Sequence, residues 1–193
     1  MDNSLVVKLR QMTGAGIVDC SNALAETAGD LEKAAELLRK KGIAKAGKRG
    51  ERETREGTVA TYIHANNKLG VMVELLCETD FVGRNEDFRK FASDIAMHIA
   101  AMNPLYIAPE DVPEAIVNKE KEIYTEEFAG SGKPQNIIDN IVSGKLQKYL
   151  EEVCLLKQHY VKDEDVTIEE LVKHKIGVIG ENIKIGRFAR FEI

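Results

Sequence analysis

The sequence predicts an α+β fold: a three-helix bundle at the N-terminus, then an antiparallel sheet domain with helices inserted between its strands. Three observations predict it. Apolar residues recur at helical spacing through roughly the first forty positions, punctuated by glycines. Strict alternation sets in at Gly57 and returns at the C-terminus, and helical stripes fill the interval between these two β segments.

In the bundle, Leu5, Val6, Leu9 and Met12 mark a first helix with Asn3 or Ser4 as its cap, and Thr13-Gly14-Ala15-Gly16 ends it. Ile17, Cys20, Ala23, Leu24 and Ala28 mark a second, closed by Gly29. Asp30 caps a third helix carrying Leu31, Ala34, Ala35, Leu37 and Leu38. Arg39, Lys40 and Lys41 complement its C-terminal dipole before Gly42 is expected to stop it. The glycine loop is not a nucleotide cradle by pattern, because no Lys-Ser or Lys-Thr follows it and no strand precedes it. It leaves Ile17 and Val18 at the start of the second helix. At most one of these apolar side chains can enter so small a core, which leaves the other as a docking contact or a further packed residue.

Residues 43–56 carry almost nothing apolar to bury and read as a basic linker, mobile or forming a lone solvated helix, between a bundle at 1–42 and a sheet domain at 57–193. Within the second unit, Val59, Thr61 and Ile63 alternate with Ala60, Tyr62 and His64. Asn66-Asn67-Lys68 supplies the turn of a hairpin, and the returning strand runs from Gly70 to Cys77. That strand is apolar on nearly both faces, so helices are expected over one face and further structure over the other.

Asn85 caps the next helix, with Glu86 and Asp87 in its first turn and Phe88, Phe91, Ile95, Ile99 and Met102 as its buried stripe. Pro113 opens another, whose Ile116, Val117, Ile123, Tyr124 and Phe128 are expected to face inward. After Pro134 a helical period runs through Ile137, Ile138, Ile141 and Val142, and it resumes beyond Gly144 through Leu146, Tyr149, Leu150, Val153 and Leu156. Tyr160 and Val161 begin a turn. Thr167-Ile168-Glu169-Glu170 is a capping box for a short helix through Lys173, and a final strand carries a bulge near Gly186 and pairs with the hairpin.

Composition sets the limits on function. Of 193 residues 44% are hydrophobic and 31% charged, enough for a sizeable core, and a net charge of −5 argues against a chain built mainly to neutralise phosphates. Cys20, Cys77 and Cys154 lie far apart, and four histidines are scattered, so neither a disulfide framework nor a metal site is indicated. Met1-Asp2-Asn3-Ser4 does not open a signal peptide and no run is long enough to span a bilayer, so a reducing, cytoplasmic setting is expected.

The stretch from Leu75 to Phe88 stands out. An apolar strand ends, a turn exposes Asp80 beside Phe81, and a new helix begins. Two chemistries other than docking of that aromatic are open. The basic run from Arg39 to Arg55 would serve an RNA- or ribosome-binding protein, and Cys77 beside Asp80 would serve a thiol-dependent enzyme. Neither explains an exposed phenylalanine.

Five blocks carry a resemblance. Leu9 to Cys20, Thr79-Asp80-Phe81-Val82, Leu150-Glu151-Glu152-Val153-Cys154-Leu155-Leu156, Val161-Lys162-Asp163 and Gly180-Glu181-Asn182-Ile183 resemble, in that order, the elongation factor Ts family. The resemblance covers essentially the whole chain. It implies a guanine nucleotide exchange factor of translation elongation that binds elongation factor Tu, GDP-bound and nucleotide-free, displaces its Mg2+ and promotes GDP release so that GTP can bind. It implies no cofactor, no chemical step and no direct nucleic-acid contact. The bundle is expected to be ubiquitin-associated-like and to dock through Arg10, Ile17 and Val18, while Thr79, Asp80, Phe81 and Val82 form the active turn. Methionines often stand in the family where Ile17 and Val18 stand here, so the hydrophobic character is kept. Alanine is common at the position of Gly83 and proline at that of His159. Longer members carry a second core subdomain and a coiled coil, for which a single hairpin and one closing strand leave no room. The chain therefore resembles the short form, expected to act as a homodimer with the edge strand near the C-terminus as its natural contact. Asp80 is either a hydrogen-bond acceptor or a repulsive charge beside the partner's metal carboxylates.

Overall fold

The computed structural model describes residues 3–193; Met1 and Asp2, part of the stretch read for a targeting signal, lie outside the described residues. Helices α1 (Asn3–Thr13), α2 (Ile17–Glu26) and α3 (Leu31–Arg49) are followed by strands β1 (Glu56–Ile63) and β2 (Leu69–Cys77) and the single-turn α4 (Asp80–Gly83). Then come α5 (Glu86–Met102), α6 (Glu114–Glu127), α7 (Gln135–Val153), β3 (His159–Tyr160), β4 (Asp163–Thr167), α8 (Ile168–Ile179) and β5 (Lys184–Glu192). This is the expected α+β arrangement.

The first three helices share a core of Val6, Leu9, Cys20, Ala23, Leu24 and Ala34. Asn3 and Ser4, read as alternative caps, already lie inside α1. Helix α2 ends at Glu26 with Thr27 as its cap, short of the expected Gly29; Ala28 and Gly29 follow in the left-handed region at φ 52° and 85°, with the Gly29 N–H on the Leu24 carbonyl at 2.8 Å. Asp30 caps α3 as expected, its Oδ1 accepting from the Glu32 and Lys33 amides at 3.1 Å each.

Helix α3 does not stop at Gly42. It continues to Arg49, so the first half of the stretch read as linker is helical, and Ala46 is buried in the core of the sheet domain. The cause is tertiary. Gly42 lies against Gly177 of α8, where a Cβ added at Gly177 would sit 2.9 Å from the Gly42 Cα, so the two helices cross at a separation that requires glycine at position 177. Beyond the crossing, the Arg49 guanidinium donates to the Ile176 carbonyl at 3.1 Å. The lost helix propensity at Gly42 is offset by packing that no local reading includes.

The sheet has strand order β1-β2-β5, antiparallel throughout. Val73 pairs with Phe188 and Leu75 with Ile185, which leaves Gly186 and Arg187 together opposite Glu74 and places the bulge where the alternation breaks. Glu74 holds it. Its carboxylate accepts from the Arg187 guanidinium and amide, and that guanidinium keeps the Glu74 carboxyl below its ordinary pKa. A Cβ at Gly186 would lie 2.9 Å from the same carboxylate.

One sheet face packs on α5, with Val71, Val73 and Leu75 against Phe88, Phe91, Ile95 and Ile99. The other face is not covered as expected. Val59, Ile63, Met72 and Phe191, all on the side away from α5, are each more than half exposed. Met102, counted in the α5 stripe, is exposed as well. His98 is an ordinary core histidine: its Nε2 meets Gln158 Oε1 at 3.1 Å and burial holds its pKa below the usual value.

Helices α6 and α7 form an antiparallel hairpin, and α7 passes through Gly144 without a break. Ile116, Val117, Tyr124 and Phe128 are half-buried along its seam while Ile123 is exposed. Lys145 closes the seam over the Tyr124 and Phe128 rings and pairs with Glu127. The capping box at Thr167 and Glu170 forms with both bonds at 3.2 Å, but α8 runs past Lys173 to Ile179 and ends at Gly180, φ 91°. That extra length is the part of α8 that reaches α3.

Candidate functional site

Strand β2 delivers the chain to the opening stretch of the site. Leu75 and Cys77 are fully buried, so the strand end is fixed in the core. Thr79 is extended and sits at the N-cap of α4, yet its side chain does not cap that helix. Its hydroxyl instead donates to Glu181 Oε1 at 2.6 Å, while the Glu78 and Thr79 amides both donate to Glu181 Oε2 at 3.0 Å. At the far end, Gly83 is buried, with an added Cβ only 2.9 Å from the Gly57 carbonyl, so α4 sits directly on β1. Asn85 then caps α5, accepting from Asp87 and Phe88 amides at 2.8 and 3.2 Å.

Between these anchors the four predicted residues divide. Val82 packs against the sheet-domain core and Thr79 is held by Glu181; both fix the turn. Asp80 pairs with Arg84 at 3.0 Å on the surface, one helical turn away. Phe81 is 83% exposed. An aromatic side chain on a single helical turn fastened at both ends is preorganised to enter a partner, because little conformational freedom is left to lose on binding.

The bundle faces this turn. Met12, Thr13 and Gly14 line one cleft with Phe81, Val82 and residues of α8. Burial, with the nearby Lys175 and Arg39 charges, lowers the pKa of His174 of α8, which lines the same cleft. Of the predicted docking residues, Arg10 is exposed, and so are both apolar ones, Ile17 by 59% and Val18 by 72%. Neither enters the bundle core. The β-branched pair lies on the first turn of α2, and the small residues Cys20 and Ala23 do the packing one and two turns on.

The two rival chemistries find little here. Cys77 is buried and its Sγ donates to the Thr79 carbonyl at 3.1 Å; burial, reinforced by the Glu181 charge, pushes the thiol up to about 11. Cys154 is also pushed up to about 11 by burial. Such thiols are not nucleophiles near neutral pH. The raised folded values mean that the stability tied to these protons is complete below about pH 9 and is lost as pH rises toward 11. The native protein is therefore expected to resist a chromogenic disulfide reagent at pH 8 over hours while reacting at once in urea. Fast stoichiometric labelling without denaturant would contradict the burial. In the basic run, Arg49 is committed to the Ile176 carbonyl, Arg52 approaches Glu78 at 3.6 Å, and Arg55 pairs with Glu53. Among the described residues no group of three His, Cys, Asp or Glu side chains gathers to hold a metal ion, and no helix is long and apolar enough to cross a membrane.

A family sequence model described as Elongation factor TS matches residues 22–193. The chain belongs to the elongation factor Ts family. It is 52% identical over 189 residues to elongation factor Ts of Thermosipho melanesiensis, covering 98% of this chain and 96% of that protein. The corresponding protein of Fervidobacterium nodosum is 51% identical over 189 residues, with the same coverage, and that of Geobacter sulfurreducens 51% over 186 residues, covering 96% and 86%. These full-length matches include Arg10, Ile17 and Val18, which precede the family model. Members of the elongation factor Ts family are the nucleotide exchange factors of translation elongation, and that is the role of this chain.

Within this elongation factor Ts chain, Glu181 is the site residue that sequence reasoning missed. It falls inside one of the five recognised blocks, but its contact with Thr79 spans 102 positions and no local pattern announces it.

Proposed function

We propose that the chain acts on elongation factor Tu through two separate surfaces. The bundle docks by Arg10, Ile17 and Val18, and Phe81 enters the nucleotide domain as a wedge. The observation that carries this reading is the exposure of Phe81 on a turn whose two ends are fixed. A GTPase holds Mg2+ in a demanding octahedral shell of phosphate oxygens, water and a hydroxyl, so a small displacement of a supporting element weakens ion and nucleotide together. Asp80, half-exposed beside Arg84, lies next to the wedge and meets the partner's surface with it. By linkage, a factor that binds the nucleotide-free GTPase more tightly lowers nucleotide affinity by the same ratio, so exchange is faster in both directions and its equilibrium is unchanged. No covalent step is required of the chain, which works in the cytoplasm. Stopped-flow release of a fluorescent GDP analogue from elongation factor Tu, with Phe81→Ala as the variant, tests the wedge.

The same reading includes a homodimer. Its support is the open sheet face, where Val59, Ile63, Met72 and Phe191 present an apolar surface that one sheet domain leaves in water. A second copy related by a two-fold axis covers like with like. The contact proposed is this face, which β5 shares, and not the β5 edge alone. Met72→Glu combined with Phe191→Asp should halve the mass seen by sedimentation velocity while leaving the circular dichroism unchanged. An unaltered mass would remove the open face from the interface.

A further inference from the structure

We propose that Glu181 is a positioning residue for nucleotide release: its carboxylate sets the angle at which the turn bearing Phe81 leaves the sheet. This rests on the reading of Phe81 as the wedge. The geometry is a three-point clamp. One carboxylate accepts the Glu78 and Thr79 amides on Oε2 and the Thr79 hydroxyl on Oε1, all within 3.0 Å. These are the last groups before α4, so they fix the direction of its axis and of the Phe81 side chain two residues later.

The clamp is itself held from behind. The next residue, Asn182, is 1% exposed; its amide donates to Glu78 Oε1 at 2.6 Å and its side-chain amide to the Arg52 and Gly50 carbonyls at 2.7 and 3.3 Å. Gly50 caps the end of α3, the helix that carries the bundle. The corner between α8 and β5 therefore joins the wedge on one side and the docking arm on the other. A partner gripped by the bundle and pressed by Phe81 pushes these apart, and the Glu181 to Asn182 corner is where that load closes.

Thr79 offers a second reason to assign the role. A threonine at an N-cap ordinarily bonds the amide two or three residues on. Here its hydroxyl is turned away to Glu181, leaving the first turn of α4 uncapped by that side chain. The geometry favours aim over local helix stability.

The test separates position from binding. GDP release from elongation factor Tu is measured against factor concentration for the parent, Glu181→Ala, Glu181→Gln and Thr79→Val. Misplacing a reacting group by about 1 Å can cost on the order of a hundredfold in rate, and a wedge that must enter a defined pocket depends on position in the same way. Glu181→Ala is thus expected to lower the saturating release rate by about ten- to a hundredfold with the half-saturating concentration within about threefold of the parent. Glu181→Gln keeps one oxygen for the two amides and offers an N–H to the Thr79 oxygen, so it should recover most of the rate. Thr79→Val removes one arm of the clamp and should give an intermediate loss without threatening the fold. Amide exchange in the free proteins supplies the independent readout: the Glu78 and Thr79 amides should exchange faster in Glu181→Ala, while those of α5 do not. A saturating rate unchanged in Glu181→Ala, or a rise in half-saturation that accounts for the whole loss, overturns the proposal. A null effect of Phe81→Ala in the same assay overturns the wedge instead, and the exchange of the two amides then still reports on the clamp.

Discussion

Phe81→Ala leaves the melting transition where it is and slows GDP release at saturating factor by about ten- to over a hundredfold. The first half follows from exposure. Phe81 is 83% exposed, so the free protein loses almost no burial with the ring, and surface substitutions of that kind stay within about 0.5 kcal/mol. The second half follows from what the ring gains in the complex. Burying a phenylalanine side chain is worth about 1.5–3 kcal/mol, and each 1.36 kcal/mol is tenfold in rate when it is realised only in the distorted state. The companion variant, Ile17→Asp with Val18→Asp, should do the reverse and raise the half-saturating concentration with a smaller change in the saturating rate. Release by Phe81→Ala as fast as by the parent would dismiss the wedge, whatever the family.

Phe88→Ala, seven residues further on, is expected to have the opposite phenotype. Phe88 is fully buried where α5 meets the sheet, packed in the cluster that holds Val73, Leu75 and Ile95. Truncation of a core phenylalanine costs about 3–5 kcal/mol, made of lost transfer energy and the cavity left behind. Against the roughly 5–15 kcal/mol typical of whole domains, that is a large fraction. Urea denaturation should show the midpoint falling with little change in slope. Any loss of exchange activity should track the unfolded fraction and recover on moderate cooling, where the Phe81→Ala defect does not. A Phe88→Ala midpoint equal to the parent would mean that α5 is not seated as described.

The contrast between these two phenylalanines shows what is legible in the chain. Phe88, with Phe91, Ile95 and Ile99, falls on the apolar stripe of a capped helix, so its burial follows from periodicity. Phe81 falls on none, and its position between a strand end and a cap is what marked it as exposed. Asn85, Asp30 and Thr167 cap their helices as read, because capping is settled within four residues. Helix ends chosen at glycines fared less well. Gly29 lies in the left-handed turn that follows α2, Gly42 and Gly144 lie within helices, and α8, expected to end at Lys173, instead runs to a left-handed stop at Gly180. A glycine's freedom permits both uses, and only its neighbours select one.

The sequence alone determined the α+β class, the β1–β2 hairpin, the bulge in the closing strand, and the turn that exposes Phe81, because each depends on residues close together in the chain. Tertiary structure decided the rest. It carried α3 through Gly42 onto Gly177, left one apolar sheet face open, and brought Glu181 to Thr79. The physical reason is common to all three: close helix crossing, coverage of a face and a carboxylate meeting an amide are set by distances between elements remote in sequence. No window of local periodicity contains them.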